Sequence, residues 1–320
     1  MSDRNEQAPE EGDGPATDES VADESDESAR TQPAPDGGYV AETYTPAEGT
    51  RWPRLRQIGT VAVTEYRLAV RSKWAIALTG LFALFGVMLA TFSGSAVGPE
   101  GMERVVASLT SLAVYLVPLA ALALGYDAVV GRDEEGWLAV VFSLPVTRER
   151  VVVGTFLGRA VVLAGATILG FGLVGLLLLR EYGVTYWSTF LGFLVTAVAV
   201  GAVFLAIAVL VSTVAREKTH ALGAVLLVWL WFVLIHDLLA IGIVSAVSVP
   251  GSIVTATVLA NPASVFRVIV LSHLETTAGG GLDAAVATTG LSTPLLVATL
   301  CAWILGPLVA AALLVHRRRL

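Results

Sequence analysis

The chain of 320 residues has four histidines, His220, His236, His273 and His316, one cysteine, Cys301, and three methionines, Met1, Met88 and Met102. Soft-metal chemistry needs such ligands gathered in clusters. Here they are scattered, so no ladder of copper-type ligands is expected along the chain. One cysteine permits neither an intrachain disulfide nor a CxxC metal site. No G-x-x-x-x-G-K-[ST] phosphate loop and no H-E-x-x-H motif occurs, and no Ser/Lys or paired-Asp arrangement suggests an intramembrane enzyme. Bound haem would need facing histidines within a bilayer, and only His236 is set well inside an apolar run. His236 and Asp237 could bind a cation or a partner, or form a hydrogen-bonded pair at an interface. Asn261-Pro262 reads as a helix start by N-cap and N1 logic. Asp127 and Arg132 read as anchors or docking contacts, and Arg159 as a side chain snorkelling back to headgroups.

The elements that must carry these residues are unusual for a soluble protein. Of the residues, 55% are hydrophobic and 15% charged, with a mean hydropathy of +0.74. A soluble domain is about a quarter charged. A membrane span needs about 20 mainly apolar residues, and six such runs stand out: Trp74–Phe92, Val105–Val130, Val151–Leu179, Trp187–Val214, Ala221–Val247 and Pro294–Val315. Barrel-type alternation is absent. The expected fold is an all-α membrane protein with six transmembrane helices, multi-pass in the cell membrane. Residues 253–260 are apolar but too short to span, so a re-entrant or interfacial turn is expected there.

The net charge of −7 is divided unevenly. Residues 1–50 hold 14 acids and 2 bases, and the rest holds 13 acids and 18 bases. The acidic, Ser/Pro/Gly-rich segment 1–50 cannot bury enough apolar surface to offset its ordering entropy and is expected to be a disordered, solvated tail. Its sign argues against a nucleic-acid partner. Of the 18 bases after residue 50, 15 fall on one side of the six-span arrangement and Arg104, Arg180 and Arg267 on the other. The positive-inside rule then places both termini in the cytoplasm. Residues 51–73 read as an amphipathic helix at that surface, with Ile58, Val61, Val63, Leu68 and Val70 as its apolar face. Residues 74–320 form the six-helix domain.

Between the second and third spans an acidic group, Asp133, Glu134 and Glu135, is followed by Gly136 and by Trp137, Leu138, Val141 and Leu144 at helical spacing. Pro145 stops the segment and Arg148 marks re-entry. A short helix lying along the cytoplasmic face, with its apolar stripe free to dock in a groove, has the geometry of a coupling helix. Gly154 and Gly158 form G-x-x-x-G at the start of the third span, with Gly170, Gly172 and Gly175 beyond, a pattern for close helix packing.

This loop resembles that of ABC-2 type transporter permeases. Glu135, Gly136, Leu138, Ser143, Pro145, Val146, Arg148, Gly154 and Gly158 fit the family pattern, while Trp137 replaces the usual Thr and Thr155 the usual Lys. Five further segments resemble a narrower, nitrous oxide reductase-maturing branch: Val114–Gly136, the R-S-K-W before the first span, His236–Ala240, Asn261–Val268 and the C-terminal H-R-R-R-L. A haloarchaeal source would suit the acidic tail.

The resemblance implies a permease that binds no cofactor itself. A second permease copy would complete the membrane dimer among membrane lipids. A separate ATPase, carrying ATP and Mg, would dock under the loop at Asp133 to Arg148. An outer accessory subunit would meet His236, Asp237, Asn261, Pro262, Phe266 and Arg267. The alternative for that outer segment is an amphipathic helix resting at the interface. The alternative function is export of a lipid, drug or other small molecule by a generic ABC-2 exporter.

Overall fold

Long apolar runs with few backbone breakers become helices because each satisfies its own backbone polar groups, as hydrocarbon demands. The computed structural model describes residues 54–71, 73–93, 99–134, 147–184, 187–246, 250–272, 274 and 291–317, all within the unit Arg51–Leu320. No strand occurs among them. The helices are α1 (Arg54–Arg71), α2 (Trp74–Ser93), α3 (Pro99–Gly125), α4 (Val130–Glu134), α5 (Arg148–Tyr182) and α6 (Trp187–Val214). There follow α7 (Lys218–Trp229), a π-helical stretch (Leu230–Ile235), α8 (His236–Ala246), α9 (Gly251–Leu259), α10 (Pro262–Leu271) and α11 (Thr293–Leu314). Among the described residues, six stretches are long and apolar enough to cross a membrane: Trp74–Phe92, Gly101–Glu134, Arg148–Tyr182, Trp187–Val214, Lys218–Ile243 and Thr293–Leu314. They coincide with the six expected from sequence.

The second span is not continuous. It breaks at Tyr126–Val129 and resumes as α4. Gly125 makes the break compact, because a Cβ there would lie 2.5 Å from the Ala208 Cβ of α6. The backbone N–H groups of Val129 and Val130 donate to Ser212 Oγ of α6 at 2.9 and 3.1 Å, so a side chain stands in for the missing helical acceptors. The fifth span is interrupted by the π-helical stretch.

The segment after the fifth span folds back on itself. Helices α9 and α10 meet at 108°, as the short apolar run led one to expect. Asn261 caps α10, its side chain accepting from Ala263 N at 2.9 Å, with Pro262 at the first helical position.

α6 is apolar all round and packs against α3, α5, α10 and α11. Two thirds of its spanning window is buried (67%), against 17% for the first, fifth and sixth spans, which therefore leave most of their surface to lipid or to other protein. A file of rings ties the centre together: Phe82, Phe171, Phe193 and Phe266 sit 5.2, 5.4 and 6.4 Å apart in turn, joining α2, α5, α6 and α10. Glycines of α5 admit these helices: a Cβ at Gly170 would meet the Phe82 Cβ at 2.5 Å, and one at Gly175 the Phe190 ring at 2.4 Å. Gly172, on another face, has nothing within 4 Å.

The G-x-x-x-G at the start of α5 receives α1. Gly154 lies under Val61 and Gly158 under Glu65 and Ala62, and Arg150 bonds Gln57. The pairs 57/150, 61/154 and 65/158 advance together, so α1 climbs alongside the beginning of α5 in the same direction. Lys73, at φ 62°, turns the chain into α2, which continues along α5. The apolar face expected of α1 is thereby divided. Ile58 and Val61 face α5, while Val63, Leu68 and Val70 remain exposed.

Candidate functional site

The loop expected to carry the docking motif is described only at its two ends. Asp133 and Glu134 lie on α4 and Arg148 opens α5. Glu135, Gly136, Trp137, Leu138, Val141, Leu144 and Pro145 lie outside the described residues. The ends are firmly held. Glu134 Oε1 accepts the Lys218 backbone N–H at 2.6 Å, satisfying a donor at the first turn of α7 that Glu217, the N-cap residue, does not reach with its side chain. Glu149 pairs with His316 at 2.7 Å, bringing the start of α5 to the C-terminal end of α11.

Next to the Asp133–Glu134 end sits a network of charges in which sequence reasoning names Asp127, Arg132 and Arg159 but misses Glu65. Glu65 of α1 is 3% exposed and forms an ion pair with Arg132 of α4. The other Glu65 oxygen faces Arg159 Nε at 3.8 Å. Arg159 donates to Asp127 Oδ1 at 2.6 Å and to the Leu124 carbonyl, which the break after α3 leaves without its helical partner. Arg132 also reaches Thr155 Oγ1 at 3.4 Å. Three elements, α1, α4 and α5, thus meet at one buried carboxylate.

Arg159 does not snorkel away to headgroups as expected. Its side chain is 12% exposed and paired on two sides. The reason is the length of α5. Thirty-five residues span about 52 Å at 1.5 Å per residue, far beyond a hydrocarbon core of about 30 Å. The loop-bearing end of α5 overhangs, and Arg159 meets its partners at the level where the other spans begin. The signal for Glu65 was present in α1: Gln57, Ile58, Val61, Ala62 and Glu65 follow i, i+3/i+4 spacing and share one stripe.

The cluster expected on the outer face is drawn into the chain. His236, Asp237, Asn261, Ser264 and Arg267 come together where the π-helical stretch passes into α8 beneath the α9–α10 bend. Asn261 Nδ2 lies 2.8 Å from the Phe232 carbonyl, 3.0 Å from His236 Nδ1 and 3.3 Å from Asp237 Oδ1. Ser264 Oγ donates to Asp237 Oδ1 at 3.1 Å and Arg267 to Asp237 Oδ2 at 2.8 Å. A π-turn disturbs the regular carbonyl ladder, and Asn261 fills the gap it leaves at Phe232. For an outer partner this changes the expectation. Asn261, Pro262 and Phe266 are buried within the chain and offer no surface in this conformation, whereas His236, Asp237 and Arg267 keep partial exposure.

Among the described residues no group of three His, Cys, Asp or Glu is placed to hold a metal ion. Both clusters are closed by ion pairs and hydrogen bonds between helices. Such an arrangement can position helices and pass displacement from one to another.

Comparison with known proteins agrees with this architecture. A family model described as "ABC-2 family transporter protein" matches residues 60–320. A protein of Pseudomonas aeruginosa named "Probable ABC transporter permease protein NosY" is 37% identical over 271 residues, covering 82% of this chain and 98% of the relative. One of the same name from Stutzerimonas stutzeri is 36% identical over 280 residues, covering 83% of this chain and 100% of the relative.

Proposed function

This chain belongs to the ABC-2 family of transporter permeases, and from that premise we propose that it is the NosY-like membrane subunit of a machine that matures the copper site of nitrous oxide reductase. As an ABC-2 permease with six apolar helices it is a multi-pass cell-membrane protein, and the family implies an ABC ATPase partner. The observation that carries the narrower reading is the match to two proteins named NosY along 98% and 100% of their lengths.

In this reading both termini face the cytoplasm. Two copies form the membrane dimer, a NosF-like ATPase binds beneath the Asp133–Arg148 loop, and a NosD-like subunit meets the outer face. The chain has no phosphate-binding loop of its own. ATP and Mg therefore belong to the partner, and this subunit converts the partner's movement into displacement of its helices. The closed network of Glu65, Arg132, Arg159 and Asp127 supports that role, because it joins the root of the docking loop to α1 and α5.

Two measurements test the proposal. Co-expressed with its ATPase, the chain co-purifies with it, and Trp137→Glu abolishes the association. Retained binding would place the dock elsewhere. In a strain lacking the chain, nitrous oxide reductase is made with depleted copper. A fully loaded reductase would leave a generic ABC-2 exporter as the surviving reading.

A further inference from the structure

The π-helical stretch of the fifth span holds one residue more than a regular turn, and one carbonyl group shows the consequence. In an unbroken α-helix the His236 N–H would bond the Phe232 carbonyl, four residues back. Here it bonds the Trp231 carbonyl, five residues back. The Phe232 carbonyl instead accepts from Asn261 Nδ2 at 2.8 Å. Two donors thus compete for one acceptor. The side chain of Asn261 serves it now, and the backbone of His236 would serve it in a regular helix. The carbonyl is satisfied either way.

The stretch itself is anchored, whereas the helix beyond it is not. The Phe232 ring meets Phe204 of α6 and Trp303 of α11 edge-on, with centroids 6.1 and 5.5 Å away, and Val233 beside it is buried. α8 is thinly packed by comparison. Of its described side chains only Ala240 is buried, while Leu238, Leu239, Ile241 and Ile243 are exposed. The bonds that tie α8 to the bend are polar. His236 Nδ1 lies 3.0 Å from Asn261 Nδ2, and Asp237 accepts from Ser264 and Arg267 of α10. His236 and Asp237 are the first residues of α8, so these bonds depend on the register that the π-turn sets.

We propose that the fifth span has two registers: the π register described above, and an unbroken α register in which the His236 N–H takes over the Phe232 carbonyl and α8 turns about its axis. One residue of an α-helix corresponds to about 100° of rotation. That turn carries His236 and Asp237 away from Asn261, Ser264 and Arg267, so the latch on the α9–α10 bend opens as the helix closes. The cost is the Asp237–Arg267 ion pair, which makes the π register the resting one and the α register one that must be driven. α10 packs against α3 and α6, so the latch couples the fifth span to the centre of the bundle. An element with two discrete arrangements is what carries displacement between distant parts of a protein. The register change needs only the chain itself, whatever the complex matures or exports.

The test reads spin-label distances within the full chain in nanodiscs by double electron–electron resonance. Cys301→Ser clears the background, and one label sits on α11 at Leu305→Cys. The other sits on α8, at Leu239→Cys or Ile241→Cys, positions about 200° apart around the helix. Labelled chain is co-produced with an excess of unlabelled chain, so that distances between copies are not read. Asn261→Ser keeps a capping oxygen for α10 but loses the amide donor. Joined with Asp237→Asn, it should raise the ratio of α to π register by about a hundredfold, the loss of one neutral and one charge-assisted bond from the π register alone. Each α8 label then moves by up to about 8 Å, the chord of a 100° turn on a helix about 5 Å in radius, and the two move in nearly opposite directions. Deleting Leu234 removes the extra residue, and in that background the same two substitutions should leave both distances in place. Unchanged distances in the double variant, broadening at both labels without a new distance, or the same shift in the deletion background overturns the proposal.

Discussion

Gly158 of α5 and Glu65 of α1 approach so closely that a Cβ built on the glycine would lie 2.3 Å from the Glu65 Cβ and 2.6 Å from the Ala62 carbonyl oxygen. One obstacle is backbone, which cannot rotate aside. Gly158→Ala should therefore push α1 off α5 and destabilise the protein by about 1–3 kcal/mol, the usual range for overpacking. Gly165→Ala on the same helix has nothing within 4 Å and should be neutral or slightly stabilising. Thermal unfolding of the two variants in detergent, side by side, distinguishes a packing effect from a general intolerance of alanine in α5. Equal midpoints would mean that α1 does not rest on this glycine.

The Glu65–Arg132 pair should show strong coupling. Its side chains are 4% and 12% exposed, so removing either partner strands a buried charge, which costs about 3–5 kcal/mol. Glu65→Gln and Arg132→Gln are each expected to be strongly destabilising, and the double variant less so than the two losses added. Because Glu65 also faces Arg159 at 3.8 Å, the double variant should not return to the parental stability. A double-mutant cycle on unfolding measures this coupling. Simple additivity would deny that the two residues act as a pair.

Asn261 is expected to hold the α9–α10 bend by two separable bonds. Its oxygen caps α10 and its nitrogen serves the Phe232 carbonyl. Asn261→Asp keeps the capping oxygen but sets a second acceptor against the Phe232 carbonyl and the Asp237 carboxylate. Asn261→Leu removes both bonds and leaves the carbonyl orphaned, at about 1–3 kcal/mol, on top of a cap worth about 1 kcal/mol. Both should speed amide exchange across residues 251–271. Ser264→Ala should do so far less, since Asp237 keeps Arg267 at 2.8 Å. Equal protection in all three variants would show that the bend is held by apolar packing alone.

These relationships mark where sequence reading reaches its limit. Spans announce themselves because hydrocarbon forces some 20 apolar residues into one helix, and Asn261-Pro262 announced a cap because only local bonds define it. The α1–α5 seat was half visible: G-x-x-x-G signals a close neighbour without saying which. Glu65 was hidden because its meaning depends on Arg132 and Arg159, distant in sequence. Arg159 was misjudged because snorkelling was inferred from its distance into an apolar run, whereas the overhang of α5 sets its true level. The π-turn before His236 left no mark in a uniformly apolar stretch, although it decides why Asn261 points there.

Copper separates a conduit from a transmitter. His236 is the one histidine set well inside an apolar run, and its Nδ1 lies 3.0 Å from Asn261 Nδ2, so one ring nitrogen is engaged with the bend. Cys301 is exposed on α11, and no group of three candidate ligands gathers among the described residues. A subunit that transmits force should therefore show no tight, stoichiometric copper site when the purified chain is titrated with Cu(I) against a competing chelator. His236→Ala should lower thermal stability through the lost Asn261 contact, yet leave the copper content of nitrous oxide reductase unchanged when the complex is assembled. A stoichiometric site in the titration, or a reductase depleted of copper at parental permease levels, would make His236 part of a copper path through this subunit.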